Sequence, residues 1–295
     1  MPREESVPSE PVPVDPVAAD PVAAESARPG AGEGPVIDDP RHPLVRRVAD
    51  VLRSTASRPR TLIVDDEENI AQAIASGVRL DALYAVPGVA AAEAEGLRAR
   101  TPSTPLHLVA DGVMRSLFKA EKRARLFALA RAPKPATWHD VAAREGDVVV
   151  LDGVRIAGNI GAIIRSARAF DAAGIVLLDS GLTTVFDRRL IRASRGLTFS
   201  LPILLATGAE LAGHLRAEGI PLASLAADGA SPLPAIAELP GRIALLMGSE
   251  RAGASPELDA LAERRYRVPM GEGVESLNVS VAAGIALYER RRQTA

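Results

Sequence analysis

The chain has 295 residues, a net charge of −2 and no cysteine. The length points to about two domains, and the missing thiols exclude disulfides, zinc–thiolate sites, iron–sulfur clusters and cysteine nucleophiles. His42, His107, His139 and His214 lie far apart without ligand spacing, so no metal is expected.

No apolar run approaches the roughly 20 residues of a membrane helix. The start, Met1-Pro2-Arg3-Glu4-Glu5, lacks the basic-then-apolar order of a secretory signal. Together these suggest a cytoplasmic protein with no membrane partner. With so small a net charge, any nucleic-acid binding must rest on local basic patches.

Residues 1–38 read as a disordered tail: prolines and acids recur, Pro-Val-Ala-Ala appears at 16–19 and 21–24, and large apolar side chains are scarce. Residues 39–135 read as a small α/β domain. Helical spacing from Pro43 to Leu52 precedes a strand at Thr61-Leu62-Ile63-Val64. Asp65, Asp66 and Glu67 then open a helix to about 77, acids being favoured at the positive helix N-terminus. Strands at 80–86 and 106–109 and a helix over 111–119 complete the unit. Arg131-Ala132-Pro133-Lys134-Pro135 reads as a linker.

Residues 140–295 alternate strands and helices, which predicts a parallel sheet covered on both faces. The strands fall at 147–152, 174–178, 199–205, 221–226, 243–247 and 266–269. The helices fall at 160–172, 208–218, 256–263 and 278–291.

Three segments follow apolar strands, where open α/β sheets bind ligands. In Gly158-Asn159-Ile160-Gly161-Ala162-Ile163-Ile164-Arg165, glycine allows close approach, Asn159 can cap the helix or orient a neighbour, and Arg165 can offer a cationic fork to phosphate. Gly248-Ser249-Glu250-Arg251-Ala252-Gly253 brackets a carboxylate with two glycines. Val268-Pro269-Met270, then Glu275-Ser276-Leu277-Asn278-Val279-Ser280, leads through a rigid turn and a polar loop into a helix of small residues. The plainer readings are a turn with a surface arginine, a capping Glu250, and an Asn278 that serves only as an N-cap.

A basic stretch stands apart. Arg115, Lys119, Lys122, Arg123, Arg125, Arg131 and Lys134 surround Phe118 against a single acid, Glu121. Cations suit an RNA backbone, and Phe118 could stack on an unpaired base or sit in the core.

In order and spacing the three segments resemble the SpoU, or TrmH-like, branch of the SPOUT methyltransferases. Leu117–Ala124, Asp187-Arg188-Arg189 and Arg192-Ala193-Ser194-Arg195-Gly196 look like the thiopeptide-resistance enzymes of that branch. The resemblance implies a C-terminal parallel-sheet SPOUT domain with a deep trefoil knot, preceded by a ribosomal-protein-like RNA-binding domain. It implies S-adenosylmethionine held by Leu225, Gly248, Glu250, Val268, Met270, Leu277 and Asn278, and a homodimer with the site at its interface. It also implies 2′-O-methylation of an adenosine in the GTPase-associated loop of large-subunit ribosomal RNA, blocking thiopeptide antibiotics.

RNA contacts would come from Phe118, Lys119, Arg123, Arg125 and Arg188. The family assigns removal of the 2′-hydroxyl proton to the arginine, here Arg165. A guanidinium normally stays protonated, so Arg165 is read as binding phosphate, orienting the ribose and stabilising the alkoxide. Asn159 would hold the loop, and Arg195, from either subunit, would bind phosphate. Two other readings share these motifs: a housekeeping enzyme acting on transfer RNA or another ribosomal site, and a non-catalytic RNA-binding factor.

Overall fold

The computed structural model describes residues 35–118 and 124–292. Residues 1–34 of the expected tail, and Lys119 and Arg123 of the basic stretch, lie outside them. The tail boundary is corrected: Val36–Ile37 forms β1, which pairs in parallel with a strand at Leu106–Val109.

The first domain continues with α1 (Pro43–Arg53), β2 (Thr61–Asp65), α2 (Glu67–Ala75), β3 (Leu80–Ala85), α3 (Val89–Arg100), β4 (Leu106–Val109), α4 (Asp111–Phe118) and β5 (Leu126–Arg131). Its sheet runs β1-β4-β3-β5-β2, with β5 antiparallel to both neighbours. β5 and α3 were not expected from the sequence. The run Leu126-Phe127-Ala128-Leu129-Ala130 is buried throughout, so it has no period-2 alternation to mark it as a strand.

Phe118 settles into this core. It is 3% exposed and meets Phe127 edge-on at 5.3 Å, while Phe127 stacks on Tyr84 at 4.9 Å. The expectation that Phe118 stacks on an RNA base is therefore corrected: burying its apolar ring here keeps it from a base.

The second domain begins earlier than expected, because α5 (Trp138–Ala142) already packs there. Trp138 stacks on His214 at 4.3 Å and Val141 is fully buried. Next come β6 (Val148–Asp152), α6 (Ala157–Ala169), β7 (Gly174–Leu178), α7 (Arg188–Ala193), a 3-10 turn at Leu197–Phe199, β8 (Ile203–Leu205) and α8 (Gly208–Glu218). Then follow β9 (Leu222–Leu225), β10 (Ser231–Pro232), a 3-10 turn at Leu233–Glu238, β11 (Ala244–Gly248), α9 (Pro256–Asp259), β12 (Arg264–Arg267) and α10 (Val279–Arg291). The order is β10-β12-β9-β11-β6-β7-β8, and every pairing is parallel.

Alternate residues of the central strands feed two cores. Val149, Leu151, Ile175, Leu177, Leu245 and Met247 pack with α6 and α10. Val148, Val150, Val176, Leu178, Ala244 and Leu246 pack with α5, α8 and α9. Two-sided burial explains why these strands read as unbroken apolar runs. Among the described residues, no helix is long and apolar enough to cross a membrane.

α6 and α7 approach closely at Gly161, where a Cβ would lie 2.4 Å from the Ala193 Cβ. Gly161→Ala should therefore lower the unfolding free energy by about 1–3 kcal/mol in urea titration, through overpacking. Gly112→Ala, with no atom within 4 Å of the new methyl, should be neutral or slightly stabilising. Equal effects at both positions would contradict the close crossing.

Candidate active site

Three chain segments converge where β6 and β11 end. Asn159 lies in the first turn of α6, whose N-cap is Ile156. The helix begins three residues before the expected 160, so Asn159 does not cap it. Its Nδ2 instead donates to Glu250 Oε1 at 2.6 Å. Asn278 Nδ2 lies 3.2 Å from both Glu250 Oε1 and Asn159 Oδ1. Asn278 is also the N-cap of α10, its Oδ1 accepting from Ser280 N at 2.9 Å and Ser280 Oγ at 2.6 Å. One side-chain amide thus both caps α10 and ties it to the first turn of α6 and to the Glu250 loop.

The Glu250 loop is closed by its own backbone. Ser249 N donates to Gly253 O at 3.1 Å, and Gly253 N returns to Ser249 O at 2.9 Å. Gly248 lies so near the far side of this loop that a Cβ would fall 1.8 Å from the Gly253 carbonyl carbon. Gly253 itself has φ 69°, a left-handed conformation that glycine adopts freely. Asp152, at the end of β6, receives Ser255 N at 2.6 Å and anchors the chain leaving the loop. The sequence reading did not single out Asp152, although a carboxylate at the carboxyl end of a parallel strand was the available signal.

Beside the cluster is a cavity of about 500 Å³, within the size range of small-molecule sites. Leu225, Gly248, Glu250, Val268, Met270 and Leu277 all line it, and Asn278 stands between two lining residues, Leu277 and Val279. Leu225, Val268, Met270 and Leu277 are half-buried, an apolar surface suited to a flat ring. A polar wall was missed. Ser224 Oγ donates to Asp259 Oδ1 at 2.6 Å, and Arg265 ion-pairs with Asp259 at 3.0 Å and with Asp228 at 2.7 Å.

The arginines stand apart from this cluster. Arg165 is exposed on α6, one turn beyond Gly161 and on the same face. Gly161 packs on Ala193, so Arg165 leaves α6 on the α7 side. Arg195, with φ 53°, points to the first domain and pairs with Glu68 at 3.3 Å. Arg125 is exposed, as an RNA contact requires.

Arg188 is corrected. It is 14% exposed, its Nε donates to Asp65 Oδ2 at 2.7 Å, and its guanidinium lies 4.5 Å above the Phe118 ring. Held between a buried carboxylate and an aromatic face, it is no free phosphate ligand. Burial pushes the Asp65 carboxyl up, opposed by Arg188 and Arg192.

Residues 34–144 match the "Thiostrepton-resistance methylase, N terminus" family and residues 147–288 the "SpoU rRNA Methylase family". The 23S rRNA (adenosine(1067)-2′-O)-methyltransferase of Streptomyces azureus is 42% identical over 255 residues, covering 86% of this chain and 94% of the relative. The enzyme of the same name from Streptomyces laurentii is 43% identical over 265 residues, covering 88% and 96%. The AdoMet-bound rRNA methyltransferase of Sinorhizobium meliloti superposes with TM-score 0.74 at 25% identity, covering 88% of this chain and 98% of that one. The chain belongs to the SpoU rRNA methylase family and carries the N-terminal domain of the thiostrepton-resistance methylases.

Proposed function

We propose that this protein is an S-adenosylmethionine-dependent 2′-O-methyltransferase of large-subunit ribosomal RNA. Its target would be the adenosine named for its Streptomyces relatives, and it would confer thiopeptide resistance. The observation that carries the reading is the meeting of Asn159, Glu250 and Asn278 beside the cavity. A two-domain match over nearly the whole length of those relatives supports it.

The cavity fits the donor. Leu225, Val268, Met270 and Leu277 offer an apolar wall for its adenine, and Glu250 sets negative charge beside a cationic ligand. When bound, the donor supplies an activated methyl group on a sulfonium. The protein's task is then chiefly alignment. Asn159 and Asn278 hold the Glu250 loop in place. Arg165, on the exposed side of α6, binds the phosphate next to the target ribose and stabilises the oxygen as negative charge develops on it. Arg125, exposed on the first domain, adds a backbone contact. The knot belongs to this proposal, with α10 returning to the Glu250 loop as its last pass.

The active form is proposed to be a homodimer in the cytoplasm. Val281 and Tyr288 of α10 are 50% and 53% exposed, and Ile156, at the start of α6, is also exposed. Exposed apolar side chains along α10 and at the start of α6 suit a subunit interface.

Arg165→Ala should cut methyl transfer to a ribosomal RNA fragment by about 100-fold or more, the scale of lost transition-state charge stabilisation, with S-adenosylmethionine affinity by calorimetry unchanged. Retained turnover would remove Arg165 from the chemistry. Glu250→Ala should weaken donor binding at least about tenfold and reduce transfer through it. Asn278→Ala should do the same and also lower the stability of the folded chain by about 1 kcal/mol, from the lost cap. A wild-type protein that binds no S-adenosylmethionine would overturn the reading in favour of a non-catalytic RNA-binding factor.

A further inference from the structure

α7 belongs to two cores at once. Leu190 is fully buried with the parallel-sheet domain, and Ala193 abuts Gly161 of α6. Ile191, from the same helix, is fully buried in the core of the first domain. Polar contacts repeat the arrangement. Asp65, buried at the end of β2, receives Arg188 at 2.7 Å, and Arg192 lies 3.4 Å away. Just beyond α7, Gly196 (φ 76°) fits so tightly that a Cβ would lie 2.8 Å from the Gln72 Cβ and 2.9 Å from the Asn69 carbonyl oxygen. Phe186 and Phe199 of the second domain also pack against the first core, and the stretch containing Pro133 and Pro135 joins the domains along the chain.

Domains joined by a linker move relative to one another unless their interface prevents it. A buried ion pair is a costly way to gain stability but a directional way to fix orientation. The directed contacts here gather on the helix that supports α6, the helix that carries Arg165.

We propose that Asp65, with Arg188 and Arg192, acts as a positioning residue: it makes the two domains a rigid ruler that sets which ribose reaches the site. The inference rests on the methylation reading above. Asp65 touches neither donor nor RNA. It acts through α7, which holds α6 at the Gly161 crossing. The first domain grips the RNA, and the fixed span from there to Arg165 selects one nucleotide. Misplacement by about 1 Å suffices to slow an aligned reaction about 100-fold.

The test compares wild type with Asp65→Asn. A second variant, Asp65→Asn with Arg188→Met, removes both charges of the closest pair in case the first fails to fold. Because the chain has no cysteine, spin labels can be placed at Ala99→Cys and Ala217→Cys, one on each domain. With labelled chain diluted into excess unlabelled chain, so that a dimer carries one labelled subunit, wild type should give one narrow interlabel distance and one methylated nucleotide by primer extension. The variants should give a broadened distance, a single-turnover rate lower by about tenfold or more, and additional methylation at neighbouring nucleotides. Their affinities for the RNA fragment and for S-adenosylmethionine should stay within about threefold of wild type.

Folded variants that keep the narrow distance, the rate and the single site would overturn the ruler. So would an RNA affinity that falls about tenfold, with the site unchanged, only in the variant that lacks Arg188, which would return Arg188 to direct RNA contact. A wild-type protein that transfers no methyl group would end the methylation reading instead, while the interlabel distances would still decide the ruler.

Discussion

Glu250 Oε1 accepts from two amides carried by segments 91 and 28 residues away. The Glu250 loop, the first turn of α6 and the cap of α10 are thereby joined at one carboxylate oxygen. The arrangement depends on the register of the sheet, because β6 and β11 must end side by side for Asn159 and Glu250 to meet. Asp152 pairs with Gly248 in that register, and both belong to the machinery that shapes the loop. α10 must then return with its first residue at the same point. An amide that must cap one helix and bridge a loop to the first turn of another has little freedom to be elsewhere. The cavity beside these bonds is shaped by the same constraint, since its walls are the Glu250 loop, the end of β9 and the approach to α10.

A second constraint lies across the molecule. α7 is only six residues long, yet it is packed from both domains and carries cations that a count of surface charge would assign to RNA. Arg188 and Arg189 are neighbours with different fates. Arg188 is buried against Asp65 and Phe118, while Arg189 stays exposed and folds back on Asp187 at 3.0 Å. Burial and partner, not residue type, separate a structural cation from one available to a ligand.

Much of the site was legible because its signals are local. Glycine beside a carboxylate after an apolar strand, and an asparagine before a helix, mark positions that turn or cap whatever lies around them. Leu225, Val268, Met270 and Leu277 were named through family resemblance, and the structure places all four on one cavity. Contacts made across the fold were not legible. Nothing near Asp65 in sequence announces Arg188, which lies 123 residues away. Nor does Phe118, placed among lysines and arginines, reveal that Phe127 and Tyr84 will enclose it. β5 escaped because a strand buried on both faces has the composition of any apolar run. The α/β alternation of the second half was plain because a parallel sheet needs a crossover between successive strands. The first half mixes parallel and antiparallel pairs, and its pattern is correspondingly less regular.

We propose that the Asn159–Glu250–Asn278 cluster and its cavity serve methyl transfer to one ribose of ribosomal RNA. The most direct test is to incubate the purified wild-type chain with labelled S-adenosylmethionine and a fragment of large-subunit ribosomal RNA, and to map the modified nucleotide by primer extension and mass spectrometry. A single 2′-O-methyladenosine in the GTPase-associated loop is the predicted result. No incorporation, a methyl group on a base, or transfer to transfer RNA alone would contradict the account.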